Sequence, residues 1–267
     1  MLIMKLCFST LGCSEMSLEE ILALCSDFGI SSLEIRGIGG VLDNSKIEVF
    51  SSASSNATKI AFEQSGVIPT VLGTSCAFHN QEKFDKAINE GLEAIKIAEN
   101  LNVPYIRVFG DKITEGDELG CTERVICGIK TLCENAKSTT VLLEVHGSFN
   151  TEKALSPVLD GLSDIKNFGL IWDIEHTHEV YGENWLAFYR FARPYIKHVH
   201  IKDRNSKKGL VLTGEGDVPI IPITKQLLTD GYDGYFSLEW EKKWHPELPD
   251  IRTALDSFIK VMNEARS

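Results

Sequence analysis

Short apolar runs alternate with amphipathic stretches along the whole chain, and this alternation predicts eight strand–helix units. The helical periodicity is most regular over Glu82–Leu101. The predicted strands are Leu6–Leu11, Ser32–Gly37, Val67–Cys76, Tyr105–Phe109, Thr140–His146, Phe168–Asp173, Ile196–Ile201 and Phe236–Glu241. The predicted helices are Ser17–Gly29, Ile47–Gln64, Glu82–Leu101, Thr122–Ala136, Thr151–Ile165, Asn184–Ala192, Ile223–Asp230 and Ile251–Glu264.

The regular order of these units predicts the fold class. Eight consecutive βα units with short connections are typical of a closed parallel (β/α)8 barrel, or TIM barrel. No linker, low-complexity run or change in composition divides the chain, so we expect a single domain over residues 1–267. An open, doubly wound sheet is the alternative. It usually carries a glycine-rich nucleotide turn after the first strand, and Leu11–Ser14 is not such a turn.

Side chains alternate between the two faces of a strand, so position indicates which residues face the barrel interior. In the fifth strand, Val141, Leu143 and Val145 form an apolar face that is expected to pack on the helices. The opposite face of the same strand is therefore expected to point inward. By this rule the inward-facing residues are Glu34, Arg36, Arg107, Leu142, Glu144, His146, Ile171, Asp173, His198, His200, Lys202, Ser237, Glu239 and Glu241.

Composition and charge narrow the classes of function. A hydrophobic fraction of 43% is sufficient for one large core, and a net charge of −11 argues against nucleic acid or an anionic membrane as the partner. Met1–Thr10 lacks the pattern of a signal peptide, and no stretch reaches the length of a membrane span. The seven cysteines form no CxxC motif, which predicts reduced thiols in a cytoplasmic protein. We read Cys121, Cys127 and Cys133 as small packing residues.

Four consecutive strands deliver Glu144, Asp173, His200 and Glu239 near their carboxyl ends, the face on which barrel active sites lie. Three carboxylates placed together repel one another when all are ionised, and a divalent cation compensates that charge. Three carboxylates and one imidazole favour Mn²⁺ or Mg²⁺, with Co²⁺ or Zn²⁺ as alternatives. The alternative interpretation is that these residues cap helices or form ion pairs with nearby arginine and lysine side chains.

Three other residues bear on this prediction. Glu241 lies on the same strand face as Glu239 and is the main alternative to it as a ligand. His198 lies one step deeper than His200, and we expect it to be a packed, hydrogen-bonded core residue. His79 follows the third strand, and we expect it to be a surface histidine.

Five segments resemble the xylose isomerase-like barrel superfamily, in particular its sugar phosphate isomerase/epimerase family. They are Leu143–His146, Trp172–His176, His198–Arg204, Thr213–Asp217 and Ser237–Glu241. Together they span the part of the chain in which the four predicted ligands lie, and the resemblance extends over nearly the whole chain. It implies the same metal ligands that strand position predicts. It also implies that His176 and Arg204 contact substrate hydroxyls.

The resemblance implies a small sugar or polyol substrate and an isomerase or epimerase, with the sugar, its phosphorylation and the oligomeric state left open. The expected step is removal of a proton next to a carbonyl through an enediolate. Glu144 and Glu239 are the predicted acid and base. Arg36 and Arg107 are expected to bind substrate, and His146 either binds substrate or orients Glu144. Loss of a hydroxyl instead would make the enzyme a dehydratase of the inosose or dehydroshikimate type.

Departures from the family pattern and two rival functions remain. Ketose 3-epimerases place a further Glu six residues after the first metal Glu, where this chain has Asn150, and the spacing to Arg204 also differs. Abasic-site endonucleases of the superfamily use a trinuclear zinc cluster and an Asp-x-His motif, whereas Asp217–Pro219 contains no His. The third class is a non-catalytic sugar-binding barrel, which needs no base.

Overall fold

Eight parallel strands close into a barrel in the computed structural model, which describes residues 4–266. The strands are β1 (Lys5–Ser9), β2 (Ser32–Ile35), β3 (Ile68–Ala77), β4 (Tyr105–Phe109), β5 (Thr140–Glu144), β6 (Phe168–Asp173), β7 (Ile196–Ile201) and β10 (Tyr235–Leu238), with β8 (Asp203–Asn205) and β9 (Gly209–Val211) in a separate hairpin. Strand β10 pairs with both β1 and β7 and so closes the barrel. The predicted TIM barrel is confirmed.

Nine α-helices within residues 4–266 connect the strands or follow the last one. They are α1 (Leu18–Phe28), α2 (Ser55–Ser65), α3 (Phe84–Leu101), α4 (Glu118–Asn135), α5 (Glu152–Gly161), α6 (Ile174–Tyr181), α7 (Trp185–Ala192), α8 (Ile220–Thr229) and α9 (Ile251–Arg266). The first helix begins with a capping box, because Ser17 accepts from the Glu20 amide and the Glu20 side chain accepts from the Ser17 amide. Gly29 ends that helix in the left-handed region.

Besides shifts of up to four residues at element ends, the structure differs from the predicted elements in three places. Helix α2 begins at Ser55 rather than at Ile47, because residues 44–50 form two short 3₁₀ turns. Helix α6 was not predicted, although it follows Asp173 directly. The glycine-rich connection after β7 contains the antiparallel hairpin of β8 and β9.

Two separate apolar clusters result from the alternation of side chains along the strands. The larger one lies between the barrel and the helices and contains Val141, Leu143 and Val145, as predicted. The smaller one lies inside the barrel and consists of Val71, Leu142 and Ile171, with Tyr105 packed against it. One layer of the barrel interior is therefore filled by apolar side chains. The polar residues of the interior lie outside that layer.

None of the helices within residues 4–266 is both long enough and apolar enough to cross a membrane. The prediction that Met1–Thr10 is not a signal peptide rests partly on residues 1–3, which lie outside the described part of the chain, and it stays a prediction.

Candidate active site

The four predicted ligands lie together at the carboxyl end of the barrel and are all buried. Glu144 is the last residue of β5, Asp173 the last of β6, His200 lies in β7, and Glu239 directly follows β10. One ligand atom from each residue lies within 4.8 Å of the corresponding atoms of the other three. The strand ends therefore converge on one point, as strand position predicted.

Asp173 has two roles because it stands between a strand and a helix. Its Oδ1 atom caps helix α6 by accepting from the amides of Glu175, at 2.8 Å, and His176, at 3.2 Å. The cap fixes the carboxylate and directs Oδ2 toward the barrel axis. The helix cap and the predicted metal ligand are thus the two oxygens of the same Asp173 carboxylate.

Three of the converging atoms have no hydrogen-bond partner. They are Oε2 of Glu144, Oδ2 of Asp173 and Nδ1 of His200, and each is buried. The imidazole nitrogen lies 3.9 Å from the Glu144 oxygen and 4.0 Å from the Asp173 oxygen, and 3.5 Å from Oε2 of Glu239. Ligands around one cation at about 2.1 Å are separated by roughly 3 to 4 Å, so this donor set fits a divalent ion. Unpartnered buried polar atoms are costly unless a ligand satisfies them.

Two cationic side chains also reach these carboxylates, as the alternative interpretation expected. Nη1 of Arg107 lies 3.1 Å from Glu144 Oε2 and 3.2 Å from Glu239 Oε1. Nζ of Lys202 lies 3.0 Å from Asp173 Oδ2, 3.0 Å from Glu239 Oε2 and 2.7 Å from Oε1 of Glu241. These ion pairs reduce the repulsion between the carboxylates, but they leave the three atoms described above without hydrogen-bond geometry.

The pKa of each buried carboxyl depends on how far these charges offset burial. Burial raises the pKa of Glu144, and Arg107 offsets this only in part. For Glu239 burial acts in the same direction, but Lys202 and His200 lower its pKa well below the usual range. The pKa of Asp173 is also lowered, because Lys202 and His176 outweigh burial. At neutral pH Asp173 and Glu239 are therefore held as anions.

Glu34 orients His200 from below the four ligands. Its Oε2 atom lies 2.9 Å from His200 Nε2, 3.0 Å from His198 Nε2 and 3.1 Å from the Ser237 hydroxyl. Burial opposes ionisation of Glu34, but the two histidines lower its pKa, so the carboxylate accepts all three bonds. Burial opposes protonation of His200, but Glu34 and Glu239 raise its pKa well above the usual value. With a divalent ion bound, a neutral His200 that donates from Nε2 would direct the lone pair of Nδ1 at the ligand site. His198 is the buried, hydrogen-bonded core residue that the sequence predicted.

A cavity of about 320 Å³ opens onto this group. Of the residues predicted to bind substrate, Arg36, Arg107, His146 and His176 line it, together with Glu144 and Glu239. The rings of His146 and His176 meet edge to face, with centroids 4.6 Å apart. Trp244 also lines this cavity, and sequence reasoning did not select Ser75 and Phe109, which line it as well.

Arg204 is placed differently from the other predicted residues. Its guanidinium is ion-paired with Glu175 and Glu179, and it is not among the residues that line the cavity. The guanidinium of Arg204 is directed at Glu175, and substrate binding by Arg204 stays a prediction. His79 also lies outside the cavity lining, 3.8 Å from Asp111.

Sequence reasoning missed the roles of Glu34 and Lys202 at this site. Both were placed on the inner face of the barrel, but neither was selected as a site residue. Their contacts link β2 and β7 to residues more than thirty positions away, so no local motif signals them. A charged residue at an inward-facing strand position was the available signal.

Comparison with known proteins gives consistent matches at the level of the fold. Residues 22–261 match the family model described as Xylose isomerase-like TIM barrel. Inosose dehydratase from Clostridium perfringens (strain 13 / Type A) is 28% identical over 154 residues, which make up 50% of this chain and 50% of that protein. The chain thus spans about half the length of the curated relatives it matches.

Two solved structures extend the similarity to the full barrel. The structure of the IOLI protein with a binding zinc atom has a TM-score of 0.81 and 19% identity, covering 98% of this chain and 99% of that chain. A D-tagatose 3-epimerase-like protein has a TM-score of 0.75 and 21% identity, covering 98% of this chain and 97% of that one. At these identities the similarity establishes the fold.

Proposed function

The chain belongs to the xylose isomerase-like TIM barrel family, and from this premise we propose that it is a divalent-metal-dependent isomerase or epimerase of a small sugar or keto-polyol. One observation carries the proposal: atoms of Glu144, Asp173 and His200 that are buried and make no hydrogen bond converge with Glu239 beside a cavity. A non-catalytic sugar-binding barrel would not need carboxylates grouped in this way.

Glu144, Asp173, His200 and Glu239 would hold the cation, and the predominance of oxygen ligands favours Mn²⁺ or Mg²⁺. A bound divalent ion would act as a Lewis acid that polarises the substrate carbonyl and acidifies the neighbouring C–H bond. The zinc atom named for the IOLI structure is a finding about that protein. It supports a divalent ion in this chain without identifying which ion it is.

The chain supplies two carboxylates that border the cavity, Glu144 and Glu239. One of them takes the proton from the carbon next to the carbonyl, and the electron pair of the broken C–H bond moves to the carbonyl oxygen. Return of a proton to the opposite face gives an epimer, and return to the neighbouring carbon gives an isomer. His146 and His176 line the same cavity and are positioned to bind substrate hydroxyls.

Dehydration is the second candidate, because a curated relative that matches half of this chain is an inosose dehydratase. The same first proton transfer applies. A hydroxyl on the carbon beyond the deprotonated one then leaves with a proton as water, and a carbon–carbon double bond forms. Asn150, which stands where the 3-epimerase pattern has a Glu, contacts the carbonyl of His176 at 3.3 Å and brings no acid to the site.

Metal content tests the proposal first. The protein is loaded with Mn²⁺, passed through gel filtration and analysed by elemental mass spectrometry. We expect about one ion per chain, and a loss of that ion in Glu239→Gln. Asp111→Asn is the matched control, because Asp111 lines the same cavity but lies outside the ligand group. Absence of Mn²⁺ binding by titration in the wild-type protein would contradict the proposal.

Exchange in D₂O then separates the two reactions. The Mn²⁺-loaded protein is incubated with ketoses and keto-inositols, and deuterium incorporation next to the carbonyl is followed by NMR. Epimerisation or isomerisation keeps the elemental composition of the substrate apart from the exchanged hydrogen. Dehydration gives a product lighter by one water. No exchange and no product from any of these substrates would leave only a binding function.

A further inference from the structure

Arg36 is a buried cation whose hydrogen bonds go to neutral partners. Its side chain lines the site cavity, and the residue is only 7% exposed. Nη1 donates to the carbonyl of Leu42 at 3.2 Å, and Nη2 donates to the hydroxyl of Ser75 at 2.9 Å. No carboxylate oxygen of the described residues lies within 4.0 Å of its guanidinium. Burying a charge without a direct ion-pair partner is costly, so this position favours an anion.

The neighbouring arginine shows the contrast. Arg107 contacts two carboxylates directly, those of Glu144 and Glu239. The two arginines cross over Gly73, where an added Cβ would lie 2.8 Å from Arg36 Cδ and 3.4 Å from Arg107 Nη2. The absence of a side chain at Gly73 therefore allows two like charges to lie side by side. Burial and Arg107 together lower the pKa of Arg36 to about 10, so it stays charged at neutral pH.

The charged groups around the cavity pair with one another and leave Arg36 without a direct ion-pair partner. With a divalent ion bound, that ion and Arg107 balance the three carboxylates of the ligand group, and Lys202 is balanced by Glu241. Glu90 is the carboxylate that attracts Arg36 most strongly, but its Oε1 accepts from the Ser75 amide at 2.6 Å and the residue is partly exposed. Asp111, at the cavity mouth, is close to half exposed.

We propose that Arg36 and Ser75 bind a carboxylate group of the substrate, so that the enzyme acts on a polyhydroxy keto acid rather than on a neutral sugar. This inference rests on the proposed function and specifies its substrate class. A carboxylate matches the planar guanidinium and supplies the direct ion-pair partner that Arg36 lacks. A phosphate ester carries nearly two charges and more acceptor oxygens than one arginine and one hydroxyl satisfy.

Binding of matched ligands to the Mn²⁺-loaded protein tests this assignment. Calorimetry compares D-glucuronate with D-glucose and D-galacturonate with D-galactose, pairs that differ only by a carboxylate in place of a hydroxymethyl group. D-Glucose 6-phosphate represents the phosphate ester. We expect the acid in at least one pair to bind 10- to 100-fold more tightly than the neutral sugar, as for a charged hydrogen-bonded pair.

Variants assign the preference to Arg36. Arg36→Gln removes the charge, and the preference is expected to fall to about one. Arg36→Lys keeps the charge and is expected to retain part of the preference, which guards against loss of binding through misfolding. Lys243→Gln is the matched control, because Lys243 is a nearby cation paired with Glu15 and does not line the site cavity.

Equal or weaker binding of the acids, including no binding by any acid, would overturn the assignment, as would a preference that persists in Arg36→Gln. Tighter binding of the phosphate ester than of both acids would overturn the carboxylate in particular. These results are distinct from a failure of the proposed function. In that case the wild-type protein would not bind Mn²⁺, whereas here it binds the ion and only the ligand preference is missing.

Discussion

Glu34 shows at the scale of single residues how an acid outside the ligand group controls a ligand. It accepts hydrogen bonds from His198, His200 and Ser237 with one oxygen. We expect Glu34→Gln to weaken Mn²⁺ binding by about 10- to 100-fold, because a neutral amide makes the His200 imidazole a weaker donor to the ion. Titration calorimetry with Mn²⁺ measures the change.

Ser237→Ala is the matched control for that variant. It removes a neutral hydrogen bond from the same Glu34 oxygen and leaves the charge, so its effect on Mn²⁺ affinity should be much smaller. Unchanged affinity in Glu34→Gln, with normal folding by circular dichroism, would show that Glu34 does not position His200.

Cys127 corrects one residue-level prediction. Of the seven cysteines it alone is exposed, so the interpretation of Cys127 as a packing residue was wrong, whereas Cys121 and Cys133 are buried. The three are six residues apart on α4, and that spacing does not return a residue to the same helix face. The spacing shows that the cysteines lie on different faces of α4. It does not show which of those faces is buried.

Alkylation by iodoacetamide at pH 8 should modify Cys127 alone in the native protein. The other thiols are buried, and burial raises the pKa of Cys13 and Cys76 to about 12, so almost no thiolate is present at that pH. Intact mass spectrometry should show one adduct, and none in Cys127→Ser over the same time. Several adducts at early times would show that the native barrel opens readily.

At the scale of elements, the connection after β7 is organised by one buried carboxylate. Asp203 accepts from the amides of Gly214 at 2.7 Å, Gly216 at 3.0 Å and Val218 at 3.3 Å. These glycines lie in Thr213–Asp217, one of the segments that carry the family resemblance. The structure shows a local reason for the second of them, because a Cβ on Gly216 would lie 2.1 Å from Asp203 Oδ1.

Gly216→Ala should therefore destabilise the protein by about 2 to 4 kcal/mol, since backbone and a buried carboxylate must both move. Asp203→Ala should cost a similar amount, because it leaves several amides without an acceptor. Urea unfolding followed by tryptophan fluorescence measures both values. Gly209→Ala is a control without steric contact, although its positive φ of 80° adds a smaller strain. A larger loss at Gly209 than at Gly216 would contradict this account.

The elements that the sequence predicted well are those that a period alone determines. The strands and α3 follow from regular apolar spacing, and the parity of β5 separated Glu144 from Leu143 correctly. Helix α6 was missed because Ile174–Tyr181 is short and follows a residue interpreted as a metal ligand. Its start depends on the Asp173 cap, which sequence alone does not distinguish from a ligand.

At the scale of the whole molecule, strand order made the four candidate ligands predictable. The contacts of the lysine and arginine side chains could not be predicted in this way. Lys202 and Arg204 lie two residues apart, yet Lys202 contacts the ligand group and Arg204 pairs with Glu175, which is not one of the four ligands. Which cation reaches which carboxylate depends on side-chain paths across several strands. For the same reason, the sequence could not show that Arg36 lacks a direct ion-pair partner.

Alkaline pH should destabilise the whole fold. Burial raises the pKa of Cys13, Cys25, Cys76 and Cys133 from 9.0 to about 12. Above pH 9 the unfolded chain therefore loses thiol protons that the native state keeps, so the free energy of unfolding falls with rising pH. The slope is about 1.4 kcal/mol per pH unit for each such thiol.

Thermal unfolding between pH 8 and 11 under reducing conditions measures this effect. The melting temperature should be nearly constant up to about pH 9 and then fall more steeply with each unit. Cys76→Ala should reduce the slope, whereas Cys127→Ser, at the exposed thiol, should leave it unchanged. A melting temperature that is independent of pH up to 11 would contradict the prediction.

Metal removal tests how much the ligand group contributes to the stability of the whole barrel. The ligand group joins β5, β6, β7 and the residue after β10, so an ion bound there crosslinks half of the barrel. An ion that binds only the native state adds RT ln(1 + [L]/Kd), about 2.7 kcal/mol at a hundredfold excess over Kd. For a domain of this size that corresponds to roughly 5 to 10 °C in melting temperature.

We therefore expect Mn²⁺ to raise the melting temperature and excess chelator to reverse the rise. Glu144→Gln should differ from the wild type both without metal and with Mn²⁺. Without metal it should be at least as stable as wild type, because burial and Glu239 both disfavour the Glu144 anion. With Mn²⁺ it should gain little, because one ligand is lost. A variant that is both less stable without metal and equally stabilised by Mn²⁺ would show that Glu144 maintains the fold through Arg107 rather than holding the ion.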